Sequence, residues 1–310
     1  MKRCLVTGGA GFIGSHLVEG LLDKGCFVRV LDNFSFGHEA YLPVRHPSLE
    51  VVHGDVRDRT AVKAVLEGVD TVFHQAALAS VPASIDDPWE THDVNVNGTL
   101  HLLRACVDAG VKKVVVAASS AAYGDDPRTP KVESMAVHPL SPYAVSKLAQ
   151  EQYATAFCAS YGLETVSLRY FNVYGPRQGA DSQYAAVIPS FFSRALGGKA
   201  CEIYGDGSQT RDFVFVHDVV RANILAAQTP KTQGAVINIA GGQGVSISQL
   251  EAEIRKLSGS RAEVIRHPAR VGDILHSVAD ISKAAARIGW RPHVPFEEGL
   301  RLSLAWYRQA

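Results

Sequence analysis

Thr7-Gly8-Gly9-Ala10-Gly11-Phe12-Ile13-Gly14 is the segment that most narrows what this chain can fold into. It stands between the apolar run Cys4-Leu5-Val6 and a stretch that places Leu17, Val18, Leu21 and Leu22 at helical spacing. Glycine is needed where backbone turns tightly, where it passes close to a pyrophosphate, and where a helix meets a sheet. A helix beginning at such a loop also offers unpaired N–H groups and the positive end of its dipole, which suits phosphate. The loop therefore reads as a strand–turn–helix unit built for a dinucleotide, with Gly8, Gly11, Phe12, Ile13 and Gly14 against the cofactor.

The next strand, Phe27 to Leu31, leads to Asp32. A carboxylate at that strand end can bind both ribose hydroxyls and repels a 2′-phosphate, so NAD is expected rather than NADP. Asn33 beside it is a weaker signal in the opposite direction. Asp55-Val56 follows the third strand, and Asp55 is either an adenine-side contact or the cap of a helix at Val62 to Leu66. After the fourth strand, His74-Gln75-Ala76-Ala77 lets the backbone of Ala76 and Ala77 pass close to the cofactor.

Short β-branched runs alternate with amphipathic stretches through the first half: strands at Val51-Val52, Thr71 to Phe73, Val114 to Val116 and Thr165 to Leu168, and helices at Val94 to Ala109 and Pro142 to Ser160. That is an α/β pattern, a doubly wound parallel sheet with ligands at the carboxyl ends of its strands. Later segments suggest strands at Val214 to Val216 and Val236 to Ile239 rejoining that sheet. The expected division is a cofactor domain of 1–174 plus 214–240 and a smaller, discontinuous α/β substrate domain of 175–213 plus 241–310.

The 310 residues carry 31 basic and 31 acidic side chains, and 46% are apolar. Such values exclude a disordered chain, and the absent basic excess argues against nucleic acid or a membrane surface as partner. A small phosphorylated ligand needs only a few local cations. Cys4, Cys26, Cys106, Cys158 and Cys201 form no CxxC pair, and the first three read as buried or incidental thiols of a reducing compartment. No apolar stretch approaches the ~20 residues of a membrane span, and a cytoplasmic protein is expected. No metal-ligand motif is expected.

Tyr143-Ala-Val-Ser-Lys147 opens a helix, and its i, i+4 spacing puts phenol and ammonium on one face. A tyrosine is a poor base at neutral pH, and a neighbouring lysine together with a nicotinamide cation would favour the phenolate. Ser119 and Ser120 follow the strand Val114 to Val116, where a hydroxyl can relay a substrate proton.

With these motifs the chain resembles the extended short-chain dehydrogenase/reductase superfamily, and within it the nucleotide-sugar 4-epimerases. Asn95-Val-Asn-Gly-Thr99, Arg169-Tyr-Phe-Asn-Val-Tyr-Gly-Pro-Arg177, Gly205 to Asp212 and Arg270 to Asp280 extend the likeness over nearly the whole length. The resemblance implies Ser119, Tyr143 and Lys147 as catalytic residues, Ser120 in reserve, and Asn95 near the cofactor. It implies Asn172 near sugar and nicotinamide, Arg211 and Arg270 on a diphosphate, and Asp273 close by. Tyr204 and Val187 either wall a uracil pocket or, for Val187, belong to the core. Dehydratases and decarboxylases of the superfamily carry acids just after the serine position, whereas Ser120, Ala121 and Ala122 stand here. An oxidation–reduction cycle at C4 is what remains.

Ser277 falls where the family sets pocket size, and serine admits a 2-acetamido group. Ser80, in Ala79-Ser80-Val81-Pro82, resembles the N-acetyl-active branch, although Ala79 and Ala83 depart from its usual glycine and arginine. The resemblance thus implies a UDP-sugar substrate, UDP-GlcNAc/UDP-GalNAc ahead of UDP-Glc/UDP-Gal, with UDP-glucuronate epimerisation and a non-catalytic NAD-binding regulator as rivals. It also implies a homodimer packed through Val94 to Ala109 and Pro142 to Ser160. Leu100, Leu102, Leu103, Ala149 and Phe157 either form that face or pack on the sheet.

Overall fold

A computed structural model describes residues 1–179, 186–269 and 275–309. Its main sheet has seven parallel strands: β1 (Arg3–Thr7), β2 (Phe27–Asp32), β3 (Leu49–His53), β4 (Thr71–His74), β5 (Lys113–Ser119), β6 (Glu164–Tyr170) and β10 (Ala235–Ile239). Their spatial order is β3-β2-β1-β4-β5-β6-β10, so the order reverses between β1 and β4. Crossovers on both sides of such a point leave a crevice at the strand ends.

The near-continuous apolar runs follow from burial of both faces. Cys4, Val6 and Val115 enter one core with Leu17, Leu21, Leu168 and Ile237. Their neighbours Leu5, Val114 and Val116 enter the opposite core with Leu102, Leu103, Cys106 and Phe157, the two-residue alternation of a strand. Leu102 and Leu103 are fully buried and Leu100 packs against the same core. Each buried leucine contributes roughly 1.5–3 kcal/mol over exposure, so this face belongs to the sheet. The large apolar side chains that the Pro142–Tyr161 helix leaves exposed are Val145, Tyr153 and Tyr161.

The second half differs from expectation. The strand expected at 214–216 does not rejoin the main sheet. β9 (Thr210–Phe215) instead lies in a smaller sheet with β7 (Asn172–Tyr174), β11 (Gly244–Ser246) and β13 (His276–Ser277), and Val216 already opens a helix. A further pair joins β8 (Cys201–Tyr204) to β12 (Val264–His267). The helix expected from Val94 starts earlier, at Pro88. It passes through a π-helical turn at Asp93–Asn97 before Gly98–Asp108.

Candidate active site

β5 ends in Ser119, whose hydroxyl accepts from the Ala121 N–H at 3.2 Å and opens the turn Ser120–Tyr123. The facing helix begins where it does because Ser141 caps the Ala144 N–H and Pro142 occupies the first turn; it stops at Gly162, which takes the left-handed conformation. Tyr143 is half-buried and Lys147 buried on this helix. The Ser119 hydroxyl is near enough to the Tyr143 phenol to favour its ionised form.

Lys147 donates to the Ala117 carbonyl at 2.8 Å. Burial lowers its ammonium to about 7 and pushes the Tyr143 phenol up, the nearby Ser119 hydroxyl opposing part of that rise. The protein's own groups therefore do not supply the lowering of Tyr143 that the Tyr/Lys spacing led us to expect.

Ser84, which no sequence signal marked, accepts the Tyr143 backbone N–H at 3.0 Å and donates to Val81. It ties the Pro142–Tyr161 helix to the short helix Val81–Asp86, and Ser80 caps that short helix by accepting from Ala83. Behind Lys147, His74 bridges Thr7 (2.8 Å) and Thr99 (2.8 Å), and Gln150 donates to Thr99. Burial drives His74 down to about 3, so the bridge is neutral.

At the β1/β4 crevice the glycines are needed sterically. Gly8 has φ +67°, and a Cβ there would sit 2.7 Å from the Ala76 backbone; a Cβ on Gly14 would meet the Gly8 carbonyl at 2.0 Å. The helix Phe12–Leu22 starts after Gly11 with no side-chain cap on its first N–H groups, and Phe12 and Ile13 pack inward on the core. Asp32 accepts from Ala10 (2.9 Å) and Phe34 (2.8 Å), fixing the loop to the end of β2. An open backbone cradle, uncapped N–H groups and a neighbouring carboxylate fit a dinucleotide's pyrophosphate and ribose.

One expectation needs correction here, and two further residues have contacts of their own within the fold. Asp55 is not the helix cap: Asp58 accepts from Thr60 and Ala61, while Asp55 pairs with Arg57 at 2.8 Å and accepts from Asn33. The Arg57 hydrogen bond, partly opposed by burial, holds Asp55 at about 2. Val56 is a core side chain packed on Gly98. Asn95 is fully buried, and its amide is taken up by Leu78 and Ser146, so it holds the loop after β4 against the Pro142–Tyr161 helix. Ala77 lies within that loop, half-buried.

Asn172, Val187, Tyr204 and Arg211 line one cavity of about 340 Å³, together with Gln178, Glu202, Gln209 and Phe191. Arg211 donates to the Thr210 carbonyl, and the parallel pairing of β9 with β13 sets Ser277 opposite it. Asp212, fully buried, accepts from Gly242 and Ala279 and so fixes Arg211's strand to both neighbouring segments. Arg270 and Asp273 lie outside the described residues. Among the described residues no cluster of His, Cys, Asp and Glu is placed to hold a metal ion, and no helix is long and apolar enough to cross a membrane.

Residues 4–240, which hold the glycine loop, Ser119, Tyr143 and Lys147, match the NAD dependent epimerase/dehydratase family. The chain belongs to that family. It is an NAD-dependent isomerase of the family. A UDP-glucose 4-epimerase of Mycolicibacterium smegmatis is 39% identical over 310 residues, covering 99% of this chain and 98% of its own. Among solved structures, the UDP-N-acetylglucosamine 4-epimerase from Methanobrevibacter ruminantium in complex with UDP-N-acetylmuramic acid superposes with a TM-score of 0.96 and 43% identity, covering 99% of this chain and 98% of its own. The UDP-glucose 4-epimerase of Thermus thermophilus, in complex with NAD, gives 0.91 and 40%, covering 99% of each. This epimerase-family chain thus matches its relatives along its length, small sheet included.

Proposed function

We propose that this enzyme interconverts UDP-N-acetylglucosamine and UDP-N-acetylgalactosamine through a transient 4-keto sugar, with UDP-glucose and UDP-galactose as further substrates. Family membership and the absence of acids at Ser120, Ala121 and Ala122 support epimerisation at C4. Ser277 carries the acetamido assignment, because this small side chain stands opposite Arg211, which lines the nucleotide-sized cavity.

In this reading Gly8, Gly11 and Gly14 hold the cofactor's pyrophosphate and Asp32 its ribose. Bound NAD supplies the acceptor and then the donor of the C4 hydride, with no net redox change. Tyr143 takes the 4-hydroxyl proton, with the Ser119 hydroxyl beside it, and returns it when the keto group is reduced. Lys147, lowered to about 7, sets the charge beside the phenol near neutral pH. Arg211 and Arg270 hold the diphosphate while the sugar turns about it, which requires firm contacts to phosphate and few to the ring. The enzyme acts in a reducing, cytoplasmic setting, consistent with five free cysteines, and as a homodimer.

The test is product formation from UDP-N-acetylglucosamine, UDP-glucose, UDP-galactose and UDP-glucuronate, each without added NAD. Turnover of the acetamido sugar is expected, and Ser277→Tyr is expected to remove it while sparing UDP-glucose. Undiminished acetamido turnover in Ser277→Tyr contradicts the assignment, and preference for UDP-glucuronate replaces it.

A further inference from the structure

Lys147 is followed one turn later, on the same helix face, by Glu151. Its carboxylate is gripped by Arg169 of β6 through two parallel bonds, Nε to Oε2 at 2.8 Å and Nη2 to Oε1 at 2.7 Å. The two side chains are only 3% and 2% exposed. Taking two charges this far from water is opposed by desolvation, and apolar replacements of buried pairs are often as stable or more so. Stability is therefore a poor explanation for this pair, and its geometry offers a better one.

Arg169 pairs in register with Ala118 on one side and Asn238 on the other. Ala118 lies between Ala117, which receives Lys147, and Ser119. The guanidinium centre lies 4.7 Å from the ring of Tyr123, the last residue of the serine turn, and its Nη1 has no hydrogen-bond partner. The Tyr123 hydroxyl donates to Asn238 at 2.7 Å; Asn238 in turn donates to the carbonyls of Lys131 and Asp280. Lys131 is bridged to the 278–280 segment that follows Ser277. One buried chain of contacts thus runs from the Tyr143/Lys147 helix through the Ser119 turn to the strand of Ser277.

We propose that Glu151 and Arg169 are positioning residues for the hydride-transfer cycle, their forked ion pair fixing the rotation of the catalytic helix against Ser119. The proposal rests on the Tyr143/Ser119 reading above. A bidentate fork stacked on an aromatic ring sets angle as well as distance, which a lysine cannot do. Arg169→Lys keeps the charge and loses the fork. It is expected to lower kcat about tenfold to a hundredfold, the scale of a small misplacement of reacting groups, with KM for the UDP-sugar and the thermal midpoint little changed.

Glu151→Leu combined with Arg169→Met removes both charges. It is expected to keep the thermal midpoint and to be as slow as the single variant. A folded Arg169→Lys enzyme with wild-type kcat overturns the proposal. So does recovery of kcat in the double variant, which would make the single variant's loss the effect of a stranded charge. Tyr143→Phe, run alongside, separates the two readings. Full activity there defeats the Tyr143 reading; an inactive Tyr143→Phe with a fully active Arg169→Lys defeats this proposal alone.

Discussion

Lys147 is 4% exposed, and burial brings its ammonium from the ordinary lysine range to about 7. The unfolded chain keeps that proton up to the usual lysine value, roughly 10.4. Between these limits the unfolded state binds more protons than the native one, so stability rises with pH. Below pH 7 both states hold the proton and the full opposing effect of the buried charge remains. Lys147→Met, in enzyme stripped of NAD, is therefore expected to raise the thermal midpoint most at pH 6.5 and hardly at all near pH 10, while abolishing turnover. Scanning fluorimetry at the two pH values checks this; an equal shift at both would contradict the burial account. The pairing of Tyr143 with Lys147 was legible from spacing alone, since i and i+4 must share a helix face. Ser84 was not legible, because its contact joins residues 59 apart in sequence. Nor was the use of Asn95's amide by the loop at Leu78, since a fold-internal contact and a cofactor contact call for the same residue type.

Among the elements, the glycine loop shows how a turn can be specified by what approaches it. Gly8→Ala places a Cβ against Ala76 backbone as well as forcing a side chain into φ +67°, where roughly 1–2 kcal/mol is lost from the left-handed conformation alone. Gly25 has a similar φ of +72° with nothing within 4 Å of its Cβ. Gly25→Ala is expected to lose about 1 kcal/mol of stability and keep its NAD affinity, whereas Gly8→Ala loses at least tenfold in NAD affinity by titration. Equal NAD affinity in the two variants would remove the steric argument. The main-sheet strands could be read because burial on both faces writes them as unbroken β-branched runs. β7, β8, β11 and β13 are two to four residues long, too short to establish a period. Val214 to Val216 misled for a related reason: a buried apolar run looks the same whichever sheet receives it, and only the register with Asn172, Val173 and Tyr174 decides.

At the scale of the whole molecule, the face turned outward by the Pro142–Tyr161 helix is where the proposed dimer would form. Val145 is 52% and Tyr153 36% exposed, on the same helix whose inner face carries Lys147. Val145→Asp with Tyr153→Asp is expected to halve the mass measured by light scattering at micromolar concentration. A wild-type mass already equal to one chain would dismiss the dimer outright. The small sheet bears on how the enzyme is made as well as on how it works. β9, which presents Arg211, is flanked by β7 from before it and by β11 and β13 from after it, whereas the last main-sheet strand closes at Ile239. Synthesis runs from the N-terminus and domains tend to fold as units on the way. A chain emerging from the ribosome thus has every strand of the main sheet before β11 and β13 complete the small one. The order of translation closes the large sheet first and the sheet that carries Arg211 last.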